Sequence, residues 1–211
     1  YRRVRRVRRF REPPGGVAAV YVLSRVTLGA DVAVTSVILD AAKRRFPAAA
    51  IWLAGGRKNY ELFAADSRVG WAPVAYGRTS SLRDRLTTPR GLEDQLSAPG
   101  SLVIDPDSRI SQLGLVPISP EENYYLFDSR SYGGDGEESL AVLARRWVDE
   151  VFDVRDAVPY VAPLSPGEPP PDGPYLTVNL GVGDNPAKRL PEPFEEEILR
   201  HLAGKGWPVF V

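Results

Sequence analysis

The stretch VYVLSRVTLGADVAVTS, Val20 to Ser36, sets how the chain folds. An apolar run stops at Ser24, Gly29 interrupts the next few residues, and Asp31 then opens a segment with helical spacing. On its N-terminal side, VAAVYVL (Val17 to Leu23) is a short continuous apolar run behind the breaker EPPGG. That is the pattern of a strand buried on both faces. From Asp31 to Phe46, Val34, Val37, Ile38, Ala41, Ala42 and Arg45 recur at helical spacing, and the segment ends in RRFP. Basic residues in a last turn with Pro just beyond are helix stop signals.

The same alternation continues. AAIWLAGG (Ala49 to Gly56) reads as a strand, KNYELFAAD as a short helix and APVAYG as a third strand. SSLRDRL offers serines for an N-cap, and GLEDQL resumes after Thr-Thr-Pro. SLVIDPD (Ser101 to Asp107) is a strand ending in acids, and YYLFDS is another. In SLAVLARRWVDEVF (Ser139 to Phe152), Leu140, Leu143, Ala144, Trp147, Val148 and Val151 share one helical face. PYVAPLSPGEPPPDGPY then packs prolines into a short window, the composition of a semi-rigid linker. Past it, YLTVNLGVGDNPAKRLPEPFEEEILRHLAGKGWPVFV restarts with strand, Gly-rich turn, a helix from about Pro193, and strand.

Alternating strands and helices imply parallel βαβ units. The expected fold is α/β: a doubly wound, Rossmann-like domain over residues 17–158 and the start of a second over 175–211. Residues 1–16 form a basic arm and 159–174 the linker. The chain lacks Met, begins at Tyr1 and ends on an apolar run, and is expected to be a fragment.

Of 211 residues, 43% are hydrophobic and 26% charged, a globular composition. No apolar run reaches the roughly 20 residues of a membrane-spanning helix. Without Cys there is neither a disulfide nor a thiolate site, which suits a cytoplasmic protein. Net charge is zero, yet YRRVRRVRRFR carries seven of the 27 basic residues and no acid. Residues 1–11 are therefore read either as a loose tail or as a contact with an anionic membrane surface. No nucleic acid partner is expected.

In open α/β sheets ligands collect at the carboxyl ends of the strands. The loop SRVTLGAD has no GxGxxG, and Asp31 within it has two readings. It is a helix N-cap, or a general base that takes a proton from a hydroxyl held in a cleft between domains. Thr27 and Gly29 are substrate-loop candidates beside it, and Asp105, at the end of a later strand, is another. Asp105 and its neighbour Asp107 equally suit a turn. In NLGVGDNPAKRLPEPF (Asn179 to Phe194), a GxG and the pair Lys188-Arg189 precede a helix. Backbone amides, a helix dipole and a cation there make either a phosphate site or a solvated basic loop. His201 is the single His and is read as structural, so no multi-His metal site is expected. DSRSYGGDGEE reads as an acidic turn, and Tyr124, Tyr125 and Phe127 as core.

LGADVAVTSVILDAAKRRFPAAAIWL resembles the opening of glycosyltransferase family nine, the heptosyltransferase-like enzymes, where a Leu-Gly-Asp turn opens the first helix. The segment from Tyr175 to Val211 resembles the start of that family's second domain, with its Lys-Arg-Trp-Pro-like turn. Here Ala30 is inserted between Gly29 and Asp31, Ser36-Val37 replaces Thr-Pro, and Leu190 stands where Trp is common.

The resemblance implies a two-domain GT-B fold and inverting, metal-independent sugar transfer with no cofactor. The donor would be a nucleotide sugar such as ADP-heptose. The acceptor would be a lipopolysaccharide core or related envelope glycan, met at the inner membrane. It maps the general base onto Asp31 and the donor-phosphate contact onto Lys188, with Arg189 beside it. The fragment alone is not expected to turn over. The alternatives are another GT-B enzyme, such as a nucleotide-sugar epimerase, and a non-catalytic sugar- or nucleotide-binding relative.

Overall fold

Val20 and Val22 face one side of strand β1 (Ala19–Leu23), Tyr21 and Leu23 the other, and all four are buried. A strand covered on both faces needs parallel neighbours and helices above and below. The structure, a computed structural model, describes residues 7–77, 80–87, 91–134, 136–165, 172–182 and 186–211. In it β1 pairs in parallel with β2 (Ala50–Gly55) on one side, Val20 opposite Ile51. On the other side it pairs with β4 (Ser101–Asp105), Tyr21 opposite Val103. With β3 (Val69–Pro73) and β5 (Tyr124–Leu126) the order is β3-β2-β1-β4-β5, all parallel. The order reverses between β1 and β4, so the crevice of a doubly wound sheet lies there. The chain forms two compact units, Tyr1–Ser165, which holds this sheet, and Pro166–Val211.

The first helix begins earlier than its pattern predicts. A short α1 (Leu28–Ala30) runs into a π turn (Asp31–Thr35) and then α2 (Ser36–Arg45). The Ser36 amide donates to the carbonyl of Asp31, five residues back. A wide turn of this kind takes up one extra residue within a helix, and Ala30 stands directly before it. The helix N-cap position is therefore Thr27, without a side-chain cap, and not Asp31. The N-cap reading of Asp31 is corrected accordingly.

Helices α2 and α6 (Leu140–Phe152) close one face, burying Ile38, Leu39, Trp147 and Phe152 against Val20 and Val22. Helix α6 buries Leu143, Ala144, Trp147, Val148 and Val151 as its spacing predicts, while Leu140 of the predicted face stays exposed. Ser139 caps the helix by accepting from the Val142 amide. The opposite face takes α5 (Glu93–Leu96) and the loop to β5, with Leu92, Leu96, Ile110 and Ile118 buried under Tyr21 and Leu23, whereas α4 (Leu82–Thr87) buries no side chain. Strand β3 starts at Val69 and stops at Pro73, so only the front of APVAYG is strand. Pro73 has no N–H to continue the ladder.

The loose-tail reading of the basic arm fails for its described part, residues 7–11. The Phe10 amide donates to Val151 O at 2.7 Å, and its ring sits among Phe46, Tyr125 and Phe152. Arg8 donates to the carbonyls of Glu121, Glu122 and Tyr124 and lies over the Tyr125 ring. Residues 1–6 lie outside the described residues. The front of the expected linker is likewise laid on the first unit. The Ala162 amide donates to Leu62 O, and the Tyr160 hydroxyl to Asp66, which also holds Lys43. The prolines from 166 to 171 lie outside the described residues.

In the second unit β6 (Leu176–Thr177) and β7 (Val209–Phe210) pair in parallel around α7 (Phe194–Ala203). Helix α7 carries Glu195, Glu196 and Glu197 in its first turn and Arg200 and His201 in its last. That distribution complements the helix dipole.

Candidate functional site

Asp31 is 0% exposed, and four donors converge on its carboxylate. Ser24, the first residue beyond β1, donates its hydroxyl to Oδ2 at 2.7 Å, and the Arg25 amide donates to Oδ1 at 2.7 Å. Thr35, one turn along, donates its hydroxyl to Oδ1 at 2.6 Å. Asn59, in α3 (Arg57–Tyr60), donates Nδ2 to Oδ2 at 2.5 Å. Two donors on each oxygen fill the sites an ionised carboxylate offers. Asp31 thus ties together the β1 loop, the π turn and α3 after β2. Gly55 is required for this approach: a Cβ there would stand 2.5 Å from Ser24 Cβ.

Asp105, at the end of β4, is also 0% exposed. Its carboxylate accepts from the Ser108 amide at 2.6 Å and from the hydroxyls of Ser111 and Tyr124. Burial pushes its pKa up to about 6, a rise that these three donors oppose. The Ser108 hydroxyl donates to Ser24 O at 2.5 Å, so the two buried carboxylates share one hydrogen-bonded scaffold. Asp105, expected in the substrate loop, is enclosed by these donors and, like Asp31, has no part at the surface. Its role is to shape the loop from 105 to 114.

Asp107 is the carboxylate nearer the surface, at a φ of 65°. The Ser129 hydroxyl donates to its Oδ2 at 2.7 Å and Arg130 to its Oδ1 at 3.3 Å. Arg25 donates to Ser129 Oγ at 3.1 Å and stands 3.7 Å from Asp107 Oδ2. Loops from β1, β4 and β5 build this cluster at the point where the strand order reverses. The sequence points to Asp107 and to the DSRSYGGDGEE loop, the latter as a turn, but does not single out Arg25. A basic residue directly after the strand-ending Ser24 is the one signal it offers. Around the same end of the sheet Thr27 is half-buried and Gly29 exposed, with open space where a Cβ would sit.

In the second unit, a groove of about 640 Å³ opens at the carboxyl ends of β6 and β7, bounded by Val178, Gly181, Arg189, Glu195 and Leu199. Asn179 Oδ1 accepts from the Gly181 amide, tightening the front of the Gly-rich loop. Residues 183–185 of that loop lie outside the described residues. Arg189 forks onto Glu195 through Nε at 2.8 Å and NH2 at 2.6 Å, so its guanidinium is already engaged. Lys188 ends a 3-10 turn (Pro186–Lys188), is exposed and has no acceptor among the described residues. His201 is exposed on α7.

Among the described residues no three His, Cys, Asp or Glu side chains group as a metal site requires. No helix among them is long and apolar enough to cross a membrane.

No protein-family model and no curated protein sequence matches the chain. Two solved structures are similar to it. One is the glycosyl transferase family 9 protein from Veillonella parvula DSM 2008, with a TM-score of 0.52 and 13% identity over 91% of this chain and 62% of that one. The other is E. coli heptosyltransferase WaaC with ADP, with a TM-score of 0.51 and 13% identity over 90% of this chain and 66% of that one. The chain thus spans a little under two thirds of the length of the proteins it matches. At this identity the likeness is one of architecture: the chain has the α/β, GT-B-type fold of these glycosyltransferases.

Proposed function

We propose that the protein transfers a sugar from a nucleotide-sugar donor to a glycan acceptor. One observation carries this reading: the chain matches two glycosyltransferase structures over about nine tenths of its length. The donor is an ADP-linked, heptose-like sugar, in line with the ADP in the heptosyltransferase structure. Lys188, the exposed cation near the Gly-rich loop, contacts the donor phosphates, and Arg189 orients Glu195 beside it. The acceptor is a lipopolysaccharide core or related envelope glycan, met at the cytoplasmic face of a membrane that the arginines of residues 1–11 help to engage. No metal is required. A cation for the departing diphosphate and a base for the incoming hydroxyl are what displacement at an anomeric carbon demands.

Asp31 is the candidate base. To accept a proton it must exchange one of its four donors, with Ser24 and Asn59 on Oδ2, for the acceptor hydroxyl. The same burial favours a second reading, a sugar- or nucleotide-binding relative in which Asp31 only anchors the loop. The full-length protein, assayed with a panel of nucleotide sugars, tests both. Under the first reading Asp31→Asn abolishes turnover while ADP still binds in calorimetry, and Lys188→Ala weakens that binding. Turnover retained by a folded Asp31→Asn protein removes the base, and no turnover with any donor favours the binding relative.

A further inference from the structure

Two neighbouring loops at the β1–β4 crevice carry non-glycine residues in the left-handed region: Val26 at a φ of 70° and Asp107 at 65°. For a β-branched side chain that conformation is a genuine, unfavourable outlier. Strain of this kind persists where surrounding contacts hold a functional arrangement. Arg25 lies between the two. Its side chain is 15% exposed, and NH2 is engaged by Ser129 and Asp107. Its NH1, by contrast, is buried and has no hydrogen-bond partner among the described residues. A guanidinium is a donor-only fork built to grip two oxygens at once, and leaving one prong empty in a buried place is unfavourable. On the other side of Asp107, Arg130 is 57% exposed, with Asp128 3.7 Å from its Nε. Asp107 holds both guanidinium groups in place but leaves Arg25 NH1 unfilled.

We propose that Arg25 and Arg130, braced on either side of Asp107 at the β1–β4 crevice, receive an oxyanion of the substrate, either a carboxylate or a phosphate. Arg25 offers its unpaired NH1 and Arg130 its exposed guanidinium. Charge-assisted, forked contacts of this kind give geometric selection as well as attraction. The inference rests on the glycosyltransferase reading only in assigning that oxyanion to the acceptor. The binding itself is independent of turnover.

The test titrates the 15N-labelled chain with inorganic phosphate and, separately, with acetate, tracking the arginine side-chain resonances and the backbone amides of Arg25 and Ser129 by NMR. Saturable shifts at these positions are expected with one of the two anions, and that anion names the group. Arg25→Gln should weaken binding at least tenfold with unchanged circular dichroism. Arg25→Lys, which keeps the charge but loses the fork, should weaken it severalfold. Lys188→Ala should leave the shifts in place, separating this site from the donor-phosphate contact. Absence of saturable shifts with either anion, or equal affinity in folded Arg25→Gln and Arg25→Lys proteins, overturns the proposal. Failure of sugar transfer with the shifts intact would count against the transferase reading alone.

Discussion

Asn59 Nδ2 stands 2.5 Å from Asp31 Oδ2, joining α3, just after β2, to the helix after β1 across 28 residues of sequence. Both residues are buried, so solvent offers Asp31 no substitute donor. Removing a hydrogen bond to a buried charge costs about 2 kcal/mol. Asn59→Ala should lose that much in urea unfolding, and Asn59→Asp should lose more, because it sets a second carboxylate against the first. An Asn59→Ala protein as stable as the parent would show that Asp31 needs no such tether.

Asp105 gives stability a distinctive pH dependence. Its folded-state pKa is raised by burial to about 6 from an ordinary 3.8. Below 3.8 the carboxyl is protonated folded or unfolded, and its contribution is fully present. As pH rises towards 6 the unfolded chain releases this proton while the folded one keeps it, so this residue's contribution falls. The loss is on the order of 3 kcal/mol. Chemical denaturation from pH 4 to 7 should show this fall as a difference between the parent and Asp105→Asn, which cannot titrate. Parallel pH profiles for the two proteins would refute it.

The N-terminal arm is expected to stabilise the first unit. Phe10 is half-buried among three rings, so Phe10→Ala should cost about 2 kcal/mol. Arg8→Gln should cost less, since its carbonyl acceptors are largely exposed to water. Equal denaturation midpoints for the parent and Phe10→Ala would return the arm to a tail.

Gly55→Ala presses a methyl group against Ser24 Cβ, 2.5 Å away, and overpacking of this kind costs about 1–3 kcal/mol. Because the clash is with Ser24 itself, the penalty should shrink when Gly55→Ala is made together with Ser24→Gly. Additive losses in a double-mutant cycle would place the clash elsewhere.

Much of the first unit is legible from local pattern. β1 and β4 are continuous apolar runs, and α6 repeats its apolar residues at helical spacing, so each reveals its burial without reference to the rest of the chain. The start of β3 is not legible, because Val69-Gly70-Trp71 lacks an apolar run and is strand only through pairing with β2. The arm is opaque for a related reason: the acceptors that hold Arg8 are carbonyls more than a hundred residues away. Of the site, the position of Asp31 at the end of the first strand is readable, but its four donors come from three segments. Asp105 reads as a strand-end acid suited to substrate or to a turn, and only the fold reveals that Ser111 and Tyr124 enclose it. Arg25 carries no motif, and what distinguishes it is an unfilled donor that a sequence cannot display.

The π turn at Asp31–Thr35 lets two demands on one helix be met separately. One added residue in a regular helix rotates everything before it by about 100° relative to everything after it. Confined to a single wide turn, that rotation is compatible with α2 seated on the sheet. The wide turn therefore lets the Asp31 carboxylate meet the β1 loop while the apolar face of α2 stays packed on the sheet.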